Sequence, residues 1–300
     1  MAGASIGGRG PAAAAIAALR PKHWTKNAFV LAAVVFAQKA SDPGAVSRAT
    51  LAFAIFCVVS SAAYLVNDVA DREADRLHPV KRHRPIASGD LTPRAGIVLA
   101  LVLAMAGLAF AWSLGVGFVS VVGVYLLLNA AYSFGLKEVV ILDVMLVAAG
   151  FLLRAWGGAV AVGVEMSHWL VLCTGLVALF LGFVKRRQEI VTQEGGFAQR
   201  PILREYSLVF LDQMIGVVTA STVLAYSLYA FSTEVAEKLG TRRLGLTIPF
   251  VLFGVFRYLY LVHQRGEGEN PTALVVSDGP LLANVLLWAA AVLLVLYAWR

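Results

Sequence analysis

Ala52-Phe53-Ala54-Ile55-Phe56-Cys57-Val58-Val59-Ser60-Ser61-Ala62-Ala63-Tyr64-Leu65-Val66-Asn67-Asp68-Val69-Ala70-Asp71-Arg72-Glu73-Ala74-Asp75-Arg76 is an apolar run that ends in a cluster of acids. Residues 47–67 come close to the ~20 residues that a helix needs to cross a bilayer. Polar groups that continue directly from such a run are costly there and usually functional. The stretch therefore predicts a membrane helix with a working end.

Eight more runs of this kind are expected at 24–40, 95–113, 116–133, 141–163, 168–186, 208–231, 245–263 and 280–299. Backbone groups in lipid must be satisfied within the segment, so runs this continuous are read as helices. The expected fold is an all-α membrane protein, with about nine transmembrane helices around a cavity open to the cytoplasm and to lipid. Composition agrees. Hydrophobic residues make up 59% of the 300 residues and charged ones 14%, against roughly 25% charged in soluble chains. Disorder, a disulfide scaffold and an ordinary cytosolic enzyme are excluded. Cys57 and Cys173 both lie in apolar runs and read as small buried hydrophobes.

Charge sets the orientation. With nine spans, eighteen Lys and Arg fall on the N-terminal side, six on the other, and Arg154 lies within a span. By the positive-inside rule the N-terminus and the loops 68–94 and 185–207 face the cytoplasm of a plasma-membrane protein. Residues 1–15 read as a flexible tail, followed by a surface helix. Residues 16–300 read as one domain. A long basic loop follows the second span and another follows the sixth, which hints at an internal repeat.

The acids carry the chemistry. Asp68, Asp71 and Asp75 stand at i, i+3 and i+7, so one helix would place them on one side, with Asn67 and Tyr64 a turn deeper. Converging carboxylates repel unless a cation sits between them. Mg2+ takes oxygen ligands and shares its shell with substrate phosphates. His78-Pro79-Val80-Lys81-Arg82-His83-Arg84-Pro85-Ile86-Ala87-Ser88-Gly89 follows, and its cations suit a phosphate cradle.

Asn67, Asp68, Asp71 and Asp75 in an N-D-x-x-D-x-x-x-D pattern, followed by the Arg84-to-Gly89 R-P-I-x-x-G, resemble the UbiA superfamily of intramembrane prenyltransferases. The resemblance covers nearly the whole chain. It implies a helix bundle that binds a diphosphate through Mg2+, held by Asp68, Asp71 and Asp75 with Asn67 as a further catalytic residue. One feature departs from the family pattern. A second Asp-rich motif is usual after the sixth helix, whereas residues 185–206 hold no Asp and five Lys and Arg.

That exchange of acid for base, together with segments 19–27, 132–137 and 185–189, resembles the branch of the superfamily that moves phosphoribose. Its donor is 5-phosphoribosyl diphosphate, its acceptor is decaprenyl phosphate or a related polyprenyl phosphate, and its lipid product leads to cell-wall arabinan. The resemblance implies substrate contacts at Lys22, Tyr64, Lys81, Arg84, Tyr132, Lys137, Lys185, Arg186 and Glu189. Arg154 is expected either to pair with Asp212 or another buried acid, or to reach the donor. Trp156 and the Gly157-Gly158 pair are expected to serve close packing. The expected partners are these two substrates and membrane lipid, with no nucleic acid; a homo-oligomer is compatible with the sequence. An aromatic or quinone prenyltransferase is the alternative within the superfamily. An anion transporter would place its polar groups near the membrane midplane. A lipid-binding structural protein would not need three acids on one face.

Overall fold

The computed structural model describes residues 10–192, 201–267 and 271–298. Its elements are helices, with no strand among the described residues. After α1 (Pro11–Ala18), a 3-10 helix (Pro21–Leu31) runs straight into α2 (Ala32–Phe36). α3 (Pro43–Ala70) carries the acidic cluster, and α4 (Arg72–Leu77) and α5 (Pro85–Ser88) shape the loop after it. Then come α6 (Pro93–Ala111), α7 (Val116–Ser133), α8 (Leu142–Val162), α9 (His168–Val191) and α10 (Leu208–Phe231). The chain closes with α11 (Thr233–Leu239), α12 (Ile248–Gln264), α13 (Pro271–Ser277) and α14 (Gly279–Leu293).

The long helices begin where side chains replace missing backbone partners. Asp42 accepts from the Gly44 and Ala45 amides, Thr92 from Ala95, Ser207 from Phe210 and Asp278 from Leu281. Proline occupies an opening position of α3, α6 and α14, where its lost N–H costs nothing. Gly115, at φ 99°, makes the tight turn between α6 and α7.

Among the described residues, eight helices are long and apolar enough to cross a membrane. Their outward faces expose Leu101, Met105, Leu127, Val217 and Leu287, a belt that suits lipid and not water. Four packed clusters lie among the described residues, two of them central. Phe56, Phe118, Val122 and Tyr125 centre the first, on α3 and α7. Phe180, Leu211, Ile215 and Leu261 centre the second, on α9, α10 and α12.

The expected first span, 24–40, is built differently. It is an 11-residue 3-10 helix followed by a 5-residue α-helix, too short to count among the eight. The segment nonetheless runs the depth of the bundle. Arg20, just before it, meets Asp68 at one end of α3. At the other end the Tyr297 hydroxyl donates to the Val35 carbonyl, and Gln38 Nε2 to the Leu239 carbonyl at 2.9 Å. Close packing explains the winding. A Cβ added at Gly158 would lie 1.9 Å from the Val30 carbonyl oxygen, so the segment touches α8 backbone to backbone. Gly157 makes the same kind of room for Phe56. Where about nine helices were expected, the described residues hold eight long ones and one segment of mixed winding.

Two further expectations change. Helix α1 starts at Pro11, inside the stretch read as a tail; residues 1–9 lie outside the described residues. The acids do not ride one continuous helix. α3 ends at Ala70, Asp71 sits in the joint at φ −90°, ψ 4°, and α4 begins at Arg72. Asp68, Asp71 and Asp75 therefore belong to a helix end, a joint and a new helix.

Candidate active site

That joint turns Asp71 toward a different cation from the one that Asp68 and Asp75 share. Asp68 is buried and accepts hydrogen bonds from Arg20 Nη2 and, at 3.1 Å, from Arg84 Nη1. The same Arg84 nitrogen donates to Asp75 Oδ2 at 2.6 Å. Asp71 takes a third cation, the Lys137 ammonium from the loop after α7. Asn67 steadies Asp71 by donating to its Oδ2 at 3.0 Å, and Ser133 Oγ donates to Asn67 Oδ1 at 3.5 Å. The cluster is a small lattice of alternating charge, with Asp68 and Asp75 sharing one guanidinium.

Arg20 reaches this site through an unusual backbone. It holds φ 54°, in the left-handed region that non-glycine residues seldom enter. The turn lays its guanidinium across the Tyr64 ring at 5.1 Å from the centroid. The His23 ring meets Tyr64 edge-on at 5.5 Å. Burial holds the Arg20 guanidinium below its ordinary range, and Asp68 opposes that shift.

A second network stands beside the first. Arg186 is buried and donates to Asp143 Oδ2 at 2.5 Å and Glu189 Oε2 at 2.7 Å. The Tyr206 hydroxyl donates to Asp143 Oδ1 at 2.7 Å and accepts from the Ile141 amide at 2.6 Å. Burial, and then the hydrogen bond to Asp143, push the Tyr206 phenol up to about 12, so it remains a donor at neutral pH. Ile141 itself sits at φ 70°, a strained position for a β-branched residue. Lys185 is exposed and stands 4.0 Å from Glu189.

The sequence profile of the UbiA prenyltransferase family matches residues 27–277.

This chain belongs to the UbiA family.

It is 36% identical to the decaprenyl-phosphate phosphoribosyltransferase of Corynebacterium glutamicum, over 94% of this chain and 86% of that protein. It is 35% identical to the decaprenyl-phosphate phosphoribosyltransferase of Mycobacterium tuberculosis, over 93% of each. The solved structure of a UbiA homologue from Archaeoglobus fulgidus, bound to GPP and Mg2+, superimposes with a TM-score of 0.72. That match covers 94% of this chain and 99% of the homologue at 17% identity, so it shows a shared fold.

The UbiA bundle brings together Asn67, Asp68, Asp71, Asp75, Arg84, Tyr64 and Lys137, all expected at the site. Lys81 lies in the same loop, its amide 3.4 Å from His78 Nδ1. Tyr132 is close enough to Arg186 to act on it electrostatically. Lys22 is different: its side chain is exposed at the start of the 3-10 helix, with no carboxylate partner among the described residues. Arg186 and Glu189 bond each other at 2.7 Å. Arg154 does not pair with Asp212, which Arg187 takes at 2.5 Å and His263 Nε2 meets at 3.3 Å. The second basic loop includes 193–200, outside the described residues.

Arg20 and Asn27 were not among the site residues assigned from the sequence. Asn27 is fully buried and donates to Ser60 Oγ at 3.2 Å. Its signal was there, since a polar amide inside an apolar run is costly unless it is bonded. Arg20 carried no such signal, because its role depends on a backbone turn.

The site's donors suit a hard divalent ion. Asn67, Asp68 and Asp71 offer oxygen, and Asp68 Oδ2 is buried with no hydrogen-bond partner among the described residues. The expected ready-made trio is not met, because among the described residues no three His, Cys, Asp or Glu side chains are grouped to hold an ion. Arg84 and Lys137 explain this, since each draws a carboxylate to itself.

Proposed function

We propose that this protein transfers 5-phosphoribose from 5-phosphoribosyl 1-diphosphate to decaprenyl phosphate or a similar polyprenyl phosphate. The products are decaprenylphosphoryl-5-phosphoribose and diphosphate, and the lipid product serves cell-wall arabinan synthesis. Family membership makes the protein a membrane transferase. The observation that carries the finer reading is the pairing of each acid of the motif with a cation, Arg20, Arg84 or Lys137. A prenyl transferase with two Asp-rich motifs concentrates acid and metal. This site mixes acid and base in nearly equal measure, as a reaction with three phosphate-bearing groups requires. The two relatives named as phosphoribosyltransferases support the same reading.

In this account Asp68 and Asp71, with Asn67, hold Mg2+, and Asp75 positions Arg84. When bound, the ion supplies charge stabilisation to the leaving diphosphate. The chain's own part is electrostatic and positional. Arg20, Arg84 and Lys137 have long flexible side chains that exchange carboxylate for phosphate oxygen. Lys81 and Lys185 add charge at the entrance. Arg186, clamped by Asp143 and Glu189, keeps the loop after α9 in place. The bond from ribose C1 to the diphosphate oxygen breaks, and a lipid phosphate oxygen forms the new bond to C1 from the opposite face. The acceptor is already an anion, so no general base is needed. The protein is a multi-pass protein of the plasma membrane, with the N-terminus and the Asp68 end of the bundle in the cytoplasm.

A competition experiment tests this. Purified protein in lipid is given 5-phosphoribosyl diphosphate and a prenyl diphosphate together, with polyprenyl phosphate and a phenolic acceptor. Mass spectrometry of the lipids should find phosphoribosylated polyprenyl phosphate. A prenylated phenol in its place would restore the aromatic prenyltransferase reading.

A further inference from the structure

The 3-10 helix Pro21–Leu31 has three residues per turn, so side chains three apart line up in rows. Trp24, Asn27 and Val30 form the row packed on the bundle. Trp24 Nε1 donates to Ser61 Oγ at 3.1 Å, and Asn27 and Val30 are fully buried. Thr25, Ala28 and Leu31 form an exposed row. His23, Lys26 and Phe29 form the third, half-buried throughout. His23 meets Tyr64 of α3, and Phe29 meets Phe151 of α8 at 5.1 Å. Lys26 lies between these contacts, one turn inward from His23.

The Lys26 side chain has no hydrogen bond or ion pair among the described residues, and it lies within the electrostatic field of Arg154 and Arg20. Arg154 is itself buried, and its partners are all neutral. It donates to Asn27 Oδ1 and the Tyr125 hydroxyl, each at 2.7 Å, and to the Gly150 carbonyl at 2.8 Å. Its guanidinium also lies over the Tyr125 and Phe151 rings. The contrast with the neighbouring cations is sharp. Arg20, Arg84, Lys137 and Arg186 each hold a carboxylate. Two positive charges inside an apolar bundle without a counter-ion are costly, and the missing partner is an anion.

We infer that Lys26 and Arg154 hold the phosphate of the polyprenyl acceptor, on the membrane side of the donor site. The assignment deepens the proposed reaction and rests on it for the identity of the lipid. Depth supports it. Asn27, which Arg154 grips, bonds Ser60, eight residues from Asp68 along α3, or about 12 Å. Phe29, Tyr125 and Phe151 surround that position with aromatic surface, which suits a phosphate whose other end is an isoprenoid chain. A water-soluble sugar donor gains nothing from such walls. The placement also orders the two substrates: donor at the Asp68 end, acceptor phosphate beneath it, lipid chain inward.

Binding to the full-length protein tests this apart from catalysis. A short-chain polyprenyl phosphate, the matching polyprenol and 5-phosphoribosyl diphosphate are each titrated against wild type, Lys26→Met and Lys26→Arg. Wild type should bind the lipid phosphate well above the polyprenol. Lys26→Met should weaken the lipid phosphate about ten- to a hundredfold, the worth of one charge-assisted hydrogen bond. It should leave polyprenol and donor within about twofold, and Lys26→Arg should restore much of the loss. Equal binding of lipid phosphate and polyprenol by wild type would overturn the assignment without any variant. A loss confined to 5-phosphoribosyl diphosphate would give the pair to the donor's 5-phosphate. Should wild type bind the lipid phosphate in this manner yet form no phosphoribosyl lipid, the reaction would be wrong and the anion site would stand.

Discussion

Arg84 Nη1 lies 2.6 Å from Asp75 and 3.1 Å from Asp68, so one guanidinium ties two buried carboxylates from two different helices. This contact is why the N-D-x-x-D-x-x-x-D and R-P-I-x-x-G segments belong to a single site. Pro85 opens α5 and Gly89, at φ 93°, closes it, which fixes where Arg84 leaves the backbone.

Replacing Arg84 by Ala should therefore do two things. It leaves Asp68 and Asp75 facing each other with less compensation, at a cost of about 2–4 kcal/mol, toward the low end because Arg84 is about a quarter exposed. Under the proposed function it also removes a phosphate ligand. Thermal unfolding in detergent should fall, and transfer activity should drop at least about a hundredfold. Arg84→Lys should recover stability better than activity, because a lysine cannot bond two carboxylates in the same planar way. Activity equal to wild type in Arg84→Ala would remove Arg84 from the site.

Asp71 is the acid most open to a ligand, and Lys137 is its counterweight. Asp71→Ala and Asp68→Ala should each abolish transfer while the protein still inserts and purifies as a folded species. Lys137→Ala should raise the KM for 5-phosphoribosyl diphosphate more than it lowers kcat, since it removes a cation and frees a carboxylate. Steady-state kinetics separate these outcomes, and an unchanged KM in Lys137→Ala would confine Lys137 to a structural role.

The Tyr206 network predicts a stability effect with a smaller functional one. Tyr206→Phe leaves the Ile141 amide and Asp143 Oδ1 each short of a partner. The expected loss is about 1–3 kcal/mol, read as a lower unfolding midpoint, with donor KM nearly unchanged. A large donor KM change at wild-type stability would move Tyr206 into the binding site.

Much of this was legible in the sequence, for physical reasons. Long apolar runs are helices in lipid, so α3, α6 to α10, α12 and α14 were readable, while the short α11 and α13 fall outside those runs. The acids were readable because charge at the end of an apolar run is expensive. What escaped was anything set by backbone detail. The break at Asp71 sends that acid to Lys137, while Asp68 and Asp75 stay linked through Arg84. The left-handed Arg20 brings in a cation that no spacing announces. The 3-10 winding of 21–31 leaves the apolar pattern almost unchanged while altering which residues share a row. Arg154 could be read as half of a buried ion pair or as reaching the donor, and its neutral partners became visible only when Asn27 and Tyr125 were placed beside it.

Gly158 tests the mixed-wound segment directly. A methyl group there would overlap the Val30 carbonyl, which is backbone and has little room to yield. Gly158→Ala should destabilise by about 1–3 kcal/mol or more. Gly123→Ala on α7 meets nothing within 4 Å and should be tolerated. Equal unfolding midpoints for the two variants would contradict the contact between the segment and α8.

The central claim is that the cluster around Asp68 moves phosphoribose onto a lipid phosphate, and radiolabel transfer measures this most directly. Purified protein in lipid is incubated with labelled 5-phosphoribosyl diphosphate and polyprenyl phosphate, with Mg2+ or with EDTA, beside Asp68→Asn. The account predicts labelled lipid in the Mg2+ sample of wild type alone, with diphosphate released in equal amount. Labelled lipid formed equally by Asp68→Asn, or none from wild type under any metal condition, would contradict it.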